Sequence, residues 1–165
     1  MYKRYAIGIA TSIVFAALAP SANADSAKEL AVYKGGLGKF ACDVTELGSG
    51  NKFKATVDKT VEFDGNTYVE RYAEIANADH AGAWKAIFIM SYDAQTSRWV
   101  RNGVDNSGER NAASSSGWSG DTWVWENDGV NIVVTRKGAN AFVFDVDVKK
   151  PEGIKRVAEG NCKRT

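Results

Sequence analysis

Few residues in this chain could carry out covalent chemistry. The single histidine, His80, sits in the polar run Asn77-Ala78-Asp79-His80-Ala81-Gly82. A hydrolytic triad needs a nucleophile beside a base, and no G-x-S-x-G elbow or similar turn is present. A zinc site would need His80 plus several carboxylates, and no spacing in the sequence suggests one. Its polar setting predicts a solvated loop position rather than an axial ligand to haem. The carboxylates Glu70, Glu74 and Asp93 form no recognisable acid–base pair. No catalytic residue, no metal and no cofactor is expected on these grounds. What stands out instead is charge inside aromatic segments: Glu70 between Tyr68 and Tyr72, and Arg101 after Trp99. A few polar groups set among aromatic walls is the chemistry of small-molecule binding.

Cys42 and Cys162 are the two cysteines. A redox pair wants C-x-x-C spacing and a metal site wants more ligands, so a disulfide is the expected state in an oxidising compartment. The N-terminus points to such a compartment. Lys3 and Arg4 precede an apolar run from Ala6 to Ala19, followed by Pro20 and the small residues Ala22-Asn23-Ala24. That order predicts a cleavable secretory signal over residues 1–24 and an exported domain over 25–165, periplasmic or extracellular. The run is also shorter than the roughly 20 residues that span a bilayer, so no membrane insertion of the mature chain is expected. Of 21 basic residues, removal of Lys3 and Arg4 leaves 19 against 20 acidic ones. The charges are interspersed, with no basic block for nucleic acid or an anionic membrane.

Something must position these groups, and the patterning says strands. Ser26-Ala27-Lys28-Glu29 has the form of a capping box and predicts a short N-terminal helix ending near Gly35-Gly36. Beyond it the chain alternates, with turn signals at short intervals. Strands are expected at 39–46, 53–63, 67–75, 84–92, 98–105, 122–126, 130–136, 141–148 and 154–163. Residues 112–120, rich in Ser and Gly, read as a weak edge strand or a loop. Asp128-Gly129 carries the signal of a type I′ turn. Such a meander is either an up-and-down barrel or a two-sheet sandwich. A bridge between Cys42, in the first strand, and Cys162, in the last, would set those strands side by side and close the sheet. The expected fold is therefore all-β, an antiparallel up-and-down barrel of about 8–10 strands closed by a disulfide between first and last strands.

Gly38-Lys39-Phe40, opening the first strand, resembles the G-x-W opening of the lipocalins, with Phe40 in place of tryptophan. Ser91-Tyr92-Asp93, Thr96, Trp99 and Asn106-Ser107-Gly108 are similar to segments of bacterial lipocalin-like families of unassigned function. The resemblance implies a barrel with an internal cavity, often for apolar molecules. It also implies a late basic residue packed over the ring of Phe40, either Arg156 or Arg164.

Hairpin parity says which faces look inward, because loops of even length keep opposed residues on one side. Two loop residues would pair Trp125 with Ile132 and Trp123 with Val134. Four would pair Tyr92 with Trp99, Met90 with Arg101 and Phe88 with Gly103. The turn after Phe63 puts Tyr68, Glu70 and Tyr72 on the face of Val61 and Phe63. Trp84, Phe142 and Phe144 join the inner face by the same rule. The candidate ligand contacts are Tyr68, Glu70, Tyr72, Phe88, Met90, Tyr92, Trp99, Arg101, Trp123 and Trp125. An inward Arg101 requires a carboxylate, from Glu70, Asp105 or a ligand; with a loop of odd length it points to water instead.

Three functions fit: an exported barrel holding a small apolar or amphipathic molecule, a filled structural or interaction barrel, and a barrel enzyme of isomerase or cyclase type. The first needs an open apolar cavity with a few polar groups, the third a strongly perturbed ionisable group inside it.

Overall fold

The computed structural model describes residues 36–165, Asn66 excepted. The signal segment and the N-terminal helix expected above lie outside these residues. Eleven strands follow one another: β1 (Gly38–Glu46), β2 (Lys52–Glu62), β3 (Thr67–Ile75), β4 (Lys85–Asp93), β5 (Arg98–Asp105), β6 (Arg110–Ser115), β7 (Trp118–Ser119), β8 (Thr122–Glu126), β9 (Val130–Arg136), β10 (Ala141–Lys150) and β11 (Gly153–Arg164). Consecutive strands pair antiparallel except β6 with β7, and β1 pairs with β11. β6 meets β8 and completes the ring, while the two-residue β7 lies as a flap on β8. The wall is thus a closed barrel of ten strands. Among the described residues there is no α-helix, and no helix is long and apolar enough to cross a membrane.

Cys42 and Cys162 are register partners and are joined by a disulfide, a bond that suits an oxidising compartment. The predicted hairpin registers are also present: Tyr92 faces Trp99, Met90 faces Arg101 and Phe88 faces Gly103. Trp125 likewise faces Ile132, and Trp123 faces Val134.

The turn at Asp128-Gly129 keeps the predicted register by a different geometry. A type I′ turn needs positive φ at both central residues, and neither has it. Instead the Asn127 side-chain oxygen accepts from the backbone N–H groups of Gly129 (2.9 Å) and Val130 (2.7 Å), an Asx-type turn. Phe63 departs from the expected inner face. It begins a short 3₁₀ turn, Phe63–Gly65, with φ of 49° and 74% exposure. The strand's alternation stops at Glu62, so parity no longer governs the residue after it. Residues 112–120, left open above, divide into the end of β6, a turn and β7.

Two apolar clusters fill much of the interior. One lies along β1, β2, β10 and β11 and includes Phe40, Cys42, Val44, Phe53, Ala55, Val57, Phe142 and Cys162. Arg164 resolves the choice left open above: its guanidinium lies 4.8 Å from the centre of the Phe40 ring. Arg156 instead bridges Asp145 and Asp147 on β10, 3.0 Å from each. Gly38 holds a φ of 112°, a conformation that favours glycine, and its missing Cβ leaves room for the Arg164 guanidinium. The second cluster packs Tyr68, Met90, Trp99 and Trp123 with Tyr92 and Trp118 at the far end of the barrel and reaches Trp125 on its inner side. Trp123 sits at the centre, 5.3 Å from the rings of Trp99, Trp118 and Trp125, within the usual range for edge-to-face aromatic pairs.

An eight-stranded barrel is just wide enough for its own side chains to fill, and added strands widen it. With ten strands, the packed clusters leave space between them. The aromatic rings that border this space depend on missing Cβ atoms. Opposite Phe88, a Cβ at Gly103 would lie 2.2 Å from the ring and 2.6 Å from the Ile87 carbonyl oxygen. Gly103→Ala should therefore cost about 1–3 kcal/mol, as overpacked core positions do, read as a lower urea midpoint at unchanged slope.

Candidate ligand-binding cavity

One end of the barrel is built from the last residues of β1, β3, β5 and β10 and the first of β2, β4 and β11. From this mouth an apolar cavity of about 230 Å3 runs inward to mid-barrel. A second lobe of about 220 Å3 lies beside it toward β6 and shares Trp84, Phe88, Arg101, Trp125, Ile132 and Val146 as common wall. Together the lobes fall in the range of roughly 300–1,000 Å3 typical of small-molecule sites. The opposite end is filled by the tryptophan cluster, where a gap of only about 30 Å3 remains among the described residues.

Five candidate residues line the cavity: Glu70, Tyr72, Phe88, Arg101 and Trp125. The other five, Tyr68, Met90, Tyr92, Trp99 and Trp123, belong to the packed far end and do not line either lobe. Trp84, Phe142 and Phe144 add aromatic wall from the inner face, as parity predicts.

At the inner end lies a buried group of charges. Lys59 on β2 stands directly opposite Glu70 on β3, with Nζ 3.1 Å from the carboxylate. Arg101 reaches the same carboxylate from β5, two strands away, at 3.3 Å. It does so across the face of Phe88, its guanidinium 3.3 Å from the ring centre. The side chains are 6%, 14% and 9% exposed in the order Lys59, Glu70, Arg101. Burial pushes the Glu70 carboxyl up, but the two cations and their hydrogen bonds outweigh it and hold its pKa below the ordinary value. Arg101 thus points inward and its partner is Glu70. Asp105, the other protein carboxylate considered, accepts from the Trp84 indole N–H (3.0 Å) and the Ser107 hydroxyl (2.6 Å). Those bonds, with Ser107 first, hold Asp105 at about 2.

Lys59 is the member of this group that candidate selection from the sequence missed. Its position carried a signal, since it lies two residues after Val57 and two before Val61 on the apolar face of β2. A lysine there reads as a break in the pattern until its partner across β3 is known.

The mouth carries a second polar group. Glu74 accepts from the Trp84 backbone N–H (2.8 Å) and from the Tyr72 hydroxyl (3.4 Å). Burial, then the Glu74 carboxylate, push the Tyr72 phenol far above its ordinary pKa. His80 is not a solvated loop residue. Its ring stacks on Phe53 (3.9 Å between centres, 7° between planes), with Nε2 2.7 Å from Glu74 and Nδ1 4.0 Å from Glu46. The loop between β3 and β4 folds over the rim and carries His80 there, because Asn77 and His80 exchange backbone hydrogen bonds in a tight turn. Polar neighbours in sequence hide this, since the stacking partner is 27 residues away.

No family model matches the chain, and no curated protein matches it. Among solved structures the chain is similar to a de novo designed fluorescence-activating β-barrel. The two are 10% identical over 78% of this chain and 93% of that one, with a TM-score of 0.42.

Proposed function

We propose that this protein is an exported barrel that binds a small apolar or amphipathic molecule in the two-lobed cavity. The ligand's apolar part lies against Trp84, Phe88, Trp125 and Phe144, and its polar part meets the group formed by Lys59, Glu70 and Arg101. One observation carries the reading: three buried charges face the inner end of a cavity that is otherwise largely apolar. Buried ion pairs of this kind contribute little net stability against apolar residues of the same volume. A barrel selected only to fold would do as well with a filled interior, and this one keeps both the space and the charges.

The enzyme reading has less behind it. A general acid or base works best with a pKa near the operating pH. Glu70 is held ionised and Tyr72 is held protonated, both away from neutrality. The filled-barrel reading has to explain the open lobes. The lipocalin-like assignment draws support from Arg164 over Phe40 behind Gly38. Export, to the periplasm or beyond, draws support from the disulfide and from the N-terminal pattern. The mature domain works without nucleic acid and without inserting in a membrane.

Native mass spectrometry of the protein from its own host tests this, with extraction of bound material. The expected result is one discrete small molecule. Titrated into stripped protein, it should quench fluorescence through Trp84 and Trp125, and the Trp84→Phe/Trp125→Phe variant should lose most of that signal. A clean apo mass, with no fluorescence response to fatty acids or retinoids, sinks the reading.

A further inference from the structure

Every neighbouring pair of long strands in this barrel shares an extended ladder, with one exception. β5 pairs with β6 from Trp99–Ser115 to Val104–Arg110, and β8 with β9 from Thr122–Thr135 to Glu126–Asn131. Between β6 and β8 the ladder is the single pair Ser114–Glu126. The cause is length: β8 ends at Glu126 and the chain turns back at Asp128-Gly129, while β6 continues toward the mouth through Ala113, Ala112 and Asn111. The wall is notched there, and the second lobe lies directly behind the notch. Asn111, Ala112 and Ala113 border it on one side, Asn127 and Val130 on the other. The side chains of β6 at this point are small, so little stands between the lobe and solvent.

Among the described residues, one clasp holds the seam on the outside. Arg98, at the start of β5, reaches over β6 to donate to the Ser114 hydroxyl (3.0 Å) and pairs with Glu126 on β8 (3.3 Å). The paired side chains are 40% and 50% exposed, a setting in which ion pairs contribute about 1 kcal/mol or less. The far end is packed with tryptophans, and at one side of the mouth the β3–β4 loop holds His80 against Phe53 and Glu74.

We infer that small molecules enter and leave the cavity sideways, through the seam between β6 and β8, with the Arg98–Glu126 pair as its clasp. This rests on the binding reading above and adds the route. Local opening of a poorly laddered element is the low-energy motion of a barrel, and a gate of this kind sets rates for both directions without changing the bound contacts.

Stopped-flow mixing with 1-anilinonaphthalene-8-sulfonate, excited through tryptophan, tests the route. A cross-seam disulfide in Ser114→Cys/Glu126→Cys should slow association and dissociation about ten-fold or more relative to Ser114→Cys alone, with equilibrium affinity nearly unchanged. Arg98→Ala should speed both rates roughly two- to five-fold, and this arm decides the matter if the cross-linked variant fails to fold. Unchanged rates in these variants, or faster exchange in His80→Ala with Arg98→Ala silent, would overturn the seam in favour of the mouth while leaving binding intact. A wild-type protein that binds no dye at all would overturn the cavity reading and the seam with it.

Discussion

A Cys162→Ser variant is expected to lose about 5 kcal/mol of stability, because the bridge it removes spans 120 residues. The chain-entropy argument places the effect in the unfolded state, where a cross-link of that span removes more freedom than any single native contact. The folded barrel should survive the loss with its register intact, since β1 and β11 are hydrogen-bonded from Phe40–Arg164 to Glu46–Ala158 around the bridge. Thermal unfolding should therefore stay cooperative while the midpoint falls by roughly 15–20 °C for a domain of this size. Hydrogen exchange on the same variant should find β1 and β11 still protected below the transition, with β6 the earliest strand to open. An unchanged midpoint in Cys162→Ser would show that the bridge constrains nothing the ladder does not already hold.

The second large effect belongs to Glu70. In Glu70→Gln the carboxylate shared by Lys59 and Arg101 is gone, and each of these buried cations loses an ion-pair partner. Breaking a buried ion group by removing one member costs about 3–5 kcal/mol, much of it the desolvation of what remains. The triple replacement Lys59→Met/Glu70→Leu/Arg101→Met should regain wild-type stability or exceed it, since apolar groups of similar volume need no counter-charge. That contrast separates folding from function: the triple variant should fold well and bind ligand poorly. A loss under about 1 kcal/mol in Glu70→Gln would mean the carboxylate is not the counter-ion that its distances imply.

The same group makes a pH prediction of definite sign. The pKa of Glu70 in the folded protein is lowered from its ordinary value of 4.5. Its contribution is therefore fully present above that value, where the carboxylate is ionised in both folded and unfolded chains. It is lost as the pH falls below 4.5 and through the folded-state pKa, because the unfolded chain binds the proton first. Thermal midpoints taken between roughly pH 7 and pH 3 should fall more steeply for the wild type than for Glu70→Gln, which has no proton to bind there.

Much of this wall is legible in the residue pattern, because the rule for a strand is local. Side chains alternate with a period of two, and a hairpin of even loop length preserves the face from one strand to the next. That is enough to pair Tyr92 with Trp99 and, for a loop of even length, to turn Arg101 inward; it is the expected disulfide that sets Cys42 beside Cys162. It stops being enough wherever alternation stops. Phe63 looks like the next inward residue of β2 and falls instead in a turn with positive φ. His80 has only polar neighbours in the chain, and its packing against Phe53 and Glu74 exists because the β3–β4 loop folds back over the rim.

The cavity is further still from what alternation can say. Parity places Tyr68, Tyr72, Trp99 and Trp125 on one inner face, yet two of these bound the open space and two are sealed in the far cluster. Which is which depends on height along the barrel and on the strand number that sets its width. The meeting of Arg101 with Glu70 likewise depends on two registers added together across β4, and on a glycine at 103 that lets Phe88 lie flat beneath the guanidinium. Face is a property of neighbouring residues, and the chain states it directly. Depth, width and the partners of a buried charge are properties of the closed ring, and they come into being only when the ring closes.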